Sequence, residues 1–148
     1  FPTELFDETG EKLCDYGREF GSVTGRRRRC GWLDLVALKY AIRINGVTRL
    51  IMMKGDVMDT FETIKVAVAY QINGEETVEF PFETGEPIEP VYVELAGWKT
   101  DLTQITSENE FPEELNQYLS FLEEELEVPI HIVSVGPDRA QTIMRYQE

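Results

Sequence analysis

Histidine and cysteine are scarce in this sequence, which has one histidine, His131, and two cysteines, Cys14 and Cys30, among 148 residues. The cysteines form neither a C-x-x-C motif nor a metal-ligand spacing, so a His/Cys metal site is not expected. A disulfide between them is possible, although two reduced thiols are more typical of a cytosolic protein. A lone strand histidine is more often structural or solvent-facing than catalytic, and no convincing Ser/His/Asp arrangement surrounds His131.

Basic residues are also few, with 14 lysines and arginines against 28 acidic residues and a formal net charge of −14. Such a charge repels nucleic acid and anionic membranes, so neither is an expected partner. No apolar run approaches the roughly 18 residues that suggest a membrane span. The composition, 42% hydrophobic and 28% charged, is ordinary for a globular protein, and the length suits a single domain over residues 1–148.

Helix and strand patterns are mixed without regular βαβ alternation, which predicts an α+β fold with a mixed sheet, a β-hairpin and flanking helices. Apolar residues recur at helical spacing over 8–19, over 33–44 and from Pro112 onward. The last helix has a glutamate-rich face, which is expected to be solvated and to have no acid–base role. Its members are Glu113, Glu114, Glu123, Glu124 and Glu125.

β-Branched and apolar runs predict strands over 48–53, 64–72, 75–80, 91–95 and 129–134, the first of them buried. Asn73-Gly74 separates two of these runs and is typical of a two-residue hairpin turn. Segments 20–31 and 83–90 contain glycines or prolines and predict loops, and 99–111 is polar and expected to be irregular.

Four consecutive arginines at positions 26 to 29 stand out in this acidic chain. Arginine grips carboxylate or phosphate with a planar fork of donors, and Gly25 would let the backbone approach a ligand. The segment therefore suggests a loop that binds a small anion. A solvated basic patch and a nuclear-localisation or nucleic-acid patch are the alternatives. Because four adjacent like charges repel, the loop is expected to be poorly ordered without a ligand.

Two further turns follow apolar strands. Lys54-Gly55-Asp56 could read guanine, because a carboxylate can accept two hydrogen bonds from the N1–H and 2-amino groups of the base. Ser134-Val135-Gly136-Pro137 could offer a hydroxyl and backbone groups to a ring. Glycine and aspartate are common in any turn after a strand, so each of these segments alone fits an ordinary loop as well.

Taken in order, these segments resemble the adenylosuccinate synthetase family. The residues that carry the resemblance are FPTELFDETGEKL, GREFGSVTGRRRRCGW, DLVALKYAIRINGV, KGDVMDTFETIKVAVAY, AGW and VPIHIVSVGPDR. The resemblance covers essentially all 148 residues, and the ordered set is more specific than any one motif. A start at Phe1 rather than methionine agrees with a piece of a longer protein. The resemblance implies the C-terminal third of a larger P-loop-like α/β enzyme.

The family is a ligase of purine and AMP biosynthesis that joins IMP to L-aspartate with GTP and gives adenylosuccinate, GDP and phosphate. The resemblance implies a cytoplasmic protein and a homodimer when full length. It assigns the mobile aspartate loop to Ser22, Val23, Thr24, Gly25, Arg26, Arg27 and Arg28, with Arg26 also reaching IMP and Arg28 lying between aspartate and GTP. It assigns the GTP-binding segments to Lys54, Gly55, Asp56, Ser134, Val135 and Gly136.

The resemblance places no catalytic residue and no metal ligand in this chain. The glycine-rich phosphate loop, the catalytic aspartate and histidine, and the Mg²⁺ ligand belong to the N-terminal two-thirds, so the isolated fragment is expected to be inactive. Three positions depart from the family pattern: Val23 replaces a threonine, Gly55 a leucine and Ala96 a proline. A stand-alone purine-nucleotide-binding module and a protein-interaction module are the competing interpretations.

Overall fold

The computed structural model describes residues 1–82 and 85–146. Within these ranges the chain divides into two compact units, Phe1–Ala41 with Lys65–Glu94, and Ile42–Ile64 with Leu95–Glu148. They are called the first and the second unit below. Helices and mixed sheets occur together, so the predicted α+β class is confirmed. The expectation of one domain over residues 1–148 stays a prediction.

The first helix, α1 (Glu8–Tyr16), begins where its sequence provides a cap. The Asp7 carboxylate accepts hydrogen bonds from the backbone N–H groups of Thr9 at 3.0 Å and Gly10 at 3.1 Å. Glu8 and Glu11 place negative charge at the positive end of the helix dipole. The helix ends three residues before the predicted end at 19.

A four-stranded mixed sheet is centred on β3 (Thr63–Ile72). The short strand β1 (Leu33–Asp34) pairs with β3 in parallel, β4 (Glu75–Thr77) pairs with it antiparallel, and β5 (Ile88–Ala96) is its third partner. Asn73 and Gly74 have φ values of 54° and 82°, which confirms the predicted hairpin turn. The helix α2 (Leu35–Asn45) follows β1 directly.

Three boundaries in this sheet differ from prediction. Residues 33 and 34 form β1 rather than the start of a helix, because the Asp34 carboxylate caps α2 by accepting the Ala37 N–H at 3.0 Å. β4 ends at Thr77 rather than at residue 80. β5 already begins at Ile88 and includes Pro90, inside the predicted loop over 83–90; residues 83 and 84 lie outside the described residues.

The second unit contains a three-stranded sheet in the order β2–β6–β7. β2 (Leu50–Met52) runs parallel to β6 (Ile130–Ser134), and β7 (Thr142–Met144), which was not predicted, runs antiparallel to β6. β2 is not a buried strand as expected, since Ile51 is 57% exposed. It lies at an edge of this sheet, and that position leaves part of its apolar run uncovered.

Helix α3 (Glu113–Leu126) starts directly after Pro112, as predicted. Its apolar stripe is buried, with Leu115, Tyr118, Leu119, Leu122 and Leu126 in the core. The expected solvation of Glu123 is wrong: its side chain is 16% exposed and pairs with Arg145, whose side chain is 8% exposed. None of the described helices combines the length and the apolar content that crossing a bilayer would need.

Candidate functional site

The arginine loop is a closed structure with two hydrogen-bonded arms. The Arg28 N–H donates to the Glu19 carbonyl at 2.8 Å, and the Gly21 N–H donates to the Arg26 carbonyl at 2.8 Å. At the tip, the Gly25 N–H donates to the Gly21 carbonyl at 2.8 Å. Gly25 has a φ of 66°, in the left-handed region that glycine adopts without strain. The loop prediction for 20–31 is therefore confirmed, with more internal order than its composition indicated.

Three of the four arginines in this loop pair with carboxylates of the first unit. Arg27 Nη2 lies 2.5 Å from Asp15, Arg28 Nη1 lies 3.0 Å from Glu19, and Arg29 Nε lies 2.7 Å from Glu4. The hydrogen bond from Arg29 holds the pKa of Glu4 below its ordinary value. These pairs offset part of the like-charge repulsion within the arginine run. The expected disorder of the loop without a ligand stays a prediction.

Arg26 differs from its neighbours. Its side chain is exposed, and across residues 1–82 and 85–146 it has no ion-pair partner. It lies at the end of the tip that begins at Ser22 and includes Val23, which is 94% exposed. At this tip the Arg26 N–H donates to the Thr24 hydroxyl at 3.4 Å. The exposed tip thus presents a guanidinium that has no ion-pair partner among the described residues, in a segment that also exposes Ser22 and Thr24.

Buried groups anchor the chain just after the arginines. A Cβ on Gly31 would lie 2.1 Å from the Thr3 carbonyl oxygen, so only glycine fits there. Three residues later, Asp34 accepts a 2.5 Å hydrogen bond from the fully buried Tyr70 hydroxyl. Burial and the Asp34 carboxylate raise the pKa of Tyr70. Sequence reasoning missed this anchor, because a strand tyrosine and a helix-capping aspartate 36 residues away carry no shared motif.

In the second unit, the structure brings the two predicted guanine segments together. Lys54 has a left-handed φ of 61°, and a 3₁₀ turn over Gly55–Met58 follows it. Gly55 is buried so closely that a Cβ there would lie 3.3 Å from the Ser134 carbonyl oxygen. Gly55 is thus in tight contact with the second segment.

The polar groups of these two segments differ in whether they already have a hydrogen-bond partner. The Ser134 hydroxyl is buried and donates to the Gly136 carbonyl at 3.1 Å, and Val135 is fully buried. The carboxylate of Asp56 is half-buried and makes no hydrogen bond or ion pair within residues 1–82 and 85–146. Of the predicted guanine-reading groups, Asp56 therefore presents an unused acceptor.

Asp59 supports this turn and was not predicted. Its carboxylate accepts the Trp98 indole N–H at 2.9 Å and the Leu102 N–H at 2.9 Å. Burial raises the pKa of Asp59, the two donors oppose that rise, and the charge of Asp56 adds to it. No local signal in the sequence marks Asp59, because its two donors lie 39 and 43 residues further along the chain and aspartate is common in any turn after a strand.

The described residues contain no group of three or more histidine, cysteine or carboxylate side chains placed to hold a metal ion. Within the described part of the chain, Cys14 and Cys30 form no disulfide, as the sequence favoured. The His131 ring is half-buried against Tyr146, with ring centroids 5.3 Å apart, which agrees with a structural role.

Comparison with known proteins covers almost the whole chain. A family model described as adenylosuccinate synthetase matches residues 1–143. The adenylosuccinate synthetase of Parabacteroides distasonis is 71% identical over all 148 residues, and that of Porphyromonas gingivalis is 66% identical over 145 residues. The chain spans 35% and 34% of the lengths of these two relatives.

A solved structure agrees with the sequence relatives. The fully ligated adenylosuccinate synthetase from Plasmodium falciparum superposes with a TM-score of 0.92 at 34% identity, over 98% of this chain and 36% of that one. Both the sequence and the fold are therefore those of one part of a longer enzyme. The chain belongs to the adenylosuccinate synthetase family.

Proposed function

We propose that the full-length protein containing this chain is the GTP-dependent ligase that condenses IMP with L-aspartate to adenylosuccinate, releasing GDP and phosphate. This chain would supply the aspartate loop and the guanine-binding segments of that enzyme, in the cytoplasm and as part of a homodimer. Arg26 carries the proposal: it is the arginine of the loop that has no carboxylate partner among the described residues, so it is available for a substrate carboxylate.

The loop fits aspartate better than a large ligand. Its tip, from Ser22 to Gly25, is exposed, and the Thr24 hydroxyl accepts a hydrogen bond from the Arg26 backbone N–H at 3.4 Å. A small dicarboxylate needs a few charge-assisted hydrogen bonds in a fixed geometry, and the closed arms of the loop supply that geometry. Arg26 would also reach IMP, while Arg27 completes the loop and Arg28 serves aspartate and GTP.

The second unit supports recognition of guanine. Guanine offers an N1–H and a 2-amino group side by side, and the unpaired Asp56 carboxylate is a pure acceptor of matching geometry. Adenine offers an N1 acceptor instead, which a half-buried carboxylate would repel. Gly55, Ser134, Val135 and Gly136 form the close-packed backbone beside it, and the Lys54 stem would lie along the base.

Phosphate binding, proton transfer and Mg²⁺ ligation are assigned to the remaining two-thirds of the protein. Bound Mg²⁺ would neutralise charge on the GTP phosphates, and the described residues contain no cluster suited to hold it. The isolated 148-residue chain is accordingly expected to be inactive.

The test is adenylosuccinate formation by the purified full-length protein, with Asp56→Asn as the diagnostic variant. Asparagine offers one donor group and one acceptor. The variant should therefore use GTP less efficiently and xanthosine triphosphate more efficiently, because the base of the latter has a carbonyl in place of the amino group. We expect the GTP to xanthosine triphosphate ratio of kcat/KM to fall roughly 10- to 100-fold, the value of one charge-assisted hydrogen bond. If the ratio were unchanged, the assignment of Asp56 to guanine would be wrong. If the wild-type protein formed no adenylosuccinate, the assignment as a ligase would be wrong.

A further inference from the structure

Glu19 lies directly opposite Arg28 on the two arms of the arginine loop. The Arg28 N–H donates to the Glu19 carbonyl at 2.8 Å, and the side chains meet again where Arg28 Nη1 lies 3.0 Å from Glu19 Oε2. Glu19 is itself tied to the end of α1, since its N–H donates to the Cys14 carbonyl at 2.8 Å. The Glu19 carboxylate therefore projects from a backbone that is held in place by hydrogen bonds.

The pair uses only part of the guanidinium. Glu19 accepts from Nη1, and the Nε and Nη2 donors of Arg28 make no hydrogen bond within residues 1–82 and 85–146. The Arg28 side chain is 59% exposed and that of Glu19 is 24% exposed. An arginine held along one edge keeps a second edge of two parallel donors, the geometry that a carboxylate or phosphate accepts.

We propose that Glu19 is a positioning residue: it orders Arg28 by its Nη1 edge so that the Nε and Nη2 edge is already aligned for the acidic substrate. The inference rests on the proposed function, which assigns Arg28 to aspartate and GTP. A free arginine side chain loses much rotamer freedom when it binds, and an internal partner removes part of that cost beforehand.

Glu19 also brings a negative charge near an incoming carboxylate, which acts in the opposite direction. On the exposed loop water screens this repulsion strongly. The substrate would also bind the edge of the guanidinium away from Glu19, which lengthens the distance between the two carboxylates. Ordering therefore outweighs repulsion, and loss of the Glu19 charge should weaken substrate binding.

The matched control is Glu4, which pairs with the neighbouring Arg29. Arg29 has no assigned ligand, so Glu4→Gln removes another carboxylate partner of the same arginine run without touching a proposed substrate contact. Glu4 is the more buried of the two carboxylates, 9% exposed against 24% for Glu19, and it accepts from both Nε and Nη2 of Arg29, so the control disturbs the loop at least as much as Glu19→Gln does. Glu19→Gln keeps the shape of the side chain and leaves the backbone hydrogen bond between Glu19 and Arg28 intact.

The experiment is steady-state kinetics on the full-length enzyme with Glu19→Gln, Glu19→Asp and Glu4→Gln. We expect the KM for aspartate to rise roughly three- to tenfold in Glu19→Gln with an unchanged KM for IMP, and to rise less in Glu19→Asp, which keeps the charge on a shorter stem. Glu4→Gln should leave both KM values at the wild-type level.

An aspartate KM that is unchanged or lower in Glu19→Gln would overturn the inference, since a lower value means that Glu19 competes with the substrate for Arg28. An equal rise in Glu4→Gln would overturn it too, because the effect would then come from general loosening of the loop. If Glu19→Gln does not fold, the same comparison is made with Glu19→Asp. Wild-type protein without ligase activity would refute the proposed function itself, which separates the two failures.

Discussion

Arginine pairs with carboxylates in both units, but in opposite surroundings. In the first unit, the side chains of Arg27, Arg28 and Arg29 are between 50% and 65% exposed, and each has one carboxylate partner. In the second unit, the Arg145 side chain is 8% exposed and binds Glu123, Glu108 and the Ile130 carbonyl. An arginine in an exposed ion pair can exchange its carboxylate for another at a small cost in free energy, whereas breaking a buried ion pair costs much more. The first arrangement suits ligand binding and the second holds the fold.

Arg145→Met should give the largest effect. It leaves the Glu123 charge largely buried without its partner and removes the 2.8 Å hydrogen bond to the Ile130 carbonyl. Removal of one member of a buried pair costs about 3–5 kcal/mol. Urea unfolding of the full-length protein measures the loss, and hydrogen exchange over α3 and β6 locates it.

The double variant Arg145→Met, Glu123→Met is the control. Two apolar side chains leave neither Arg145 nor Glu123 as a buried charge, so part of the stability should return. The Ile130 N–H, which donates to Glu123 Oε1 at 2.6 Å, loses its acceptor, so the recovery should be incomplete. If the single variant were as stable as the wild type, the contrast between the two arginine groups would fail.

The sequence predicted most of the regular structure around this pair but not the pair itself. The spacing of Leu115, Leu119 and Leu122 correctly predicted α3 and its buried face. Glu123 follows that stripe in a run of three glutamates, which is typical of a solvated surface. Its partner lies 22 residues away on the chain, just after the unpredicted strand β7, and only the folded sheet brings them together.

In the candidate site, too, the sequence predicted the local segments but not the residues that hold them. Local composition predicted a loop at the arginines and turns at Lys54 and Ser134, because glycine and charge signal such segments directly. The partners that hold them, Asp15, Glu19 and Asp59, could not be predicted because acidic residues are common throughout this chain. Pairing depends on three-dimensional distance, which a single sequence does not contain.

Arg26→Leu is the second test, and it should affect substrate use without affecting the fold. Arg26 has no ion pair among the described residues, so the unfolding free energy should change by no more than about 0.5 kcal/mol. Loss of a charge-assisted contact with aspartate should cost about 1.5–3 kcal/mol in kcat/KM for that substrate. If the folded variant had the same kcat/KM for aspartate as the wild type, the exposed arginines would not differ from the buried Arg145 in the way proposed.

Asp59→Asn tests a carboxylate whose partners are neutral donors. Asparagine has one acceptor oxygen, so either the Trp98 or the Leu102 N–H loses its partner, at a net cost of about 0.5–1.5 kcal/mol. Because burial raises the pKa of Asp59 above 3.8, the native state holds this proton more tightly than the unfolded state does. Stability from Asp59 is therefore complete below the unfolded pKa and falls as pH rises through the raised value.

The difference in unfolding free energy between wild type and Asp59→Asn should accordingly be larger near pH 4 than at pH 7. The comparison with the same variant removes the contributions of all other titrating groups. A difference that grew toward neutral pH would show that Asp59 is held as an anion by its donors, against the effect of burial.

The pair of Arg27 and Asp15 should give the smallest effect, and for that reason it defines the exposed side of the contrast. Their side chains are 50% and 52% exposed, so water screens the attraction even though the atoms lie 2.5 Å apart. Arg27 also lies over the Phe20 ring, 5.5 Å from its centroid, and keeps that contact when Asp15 changes. A double-mutant cycle with Arg27→Gln and Asp15→Asn should give a coupling of about 0.2–1 kcal/mol that shrinks as salt is raised. A coupling of several kcal/mol that resists salt would mean that this pair is sequestered in the full-length protein, and exchange with a substrate carboxylate would then no longer be cheap at that position.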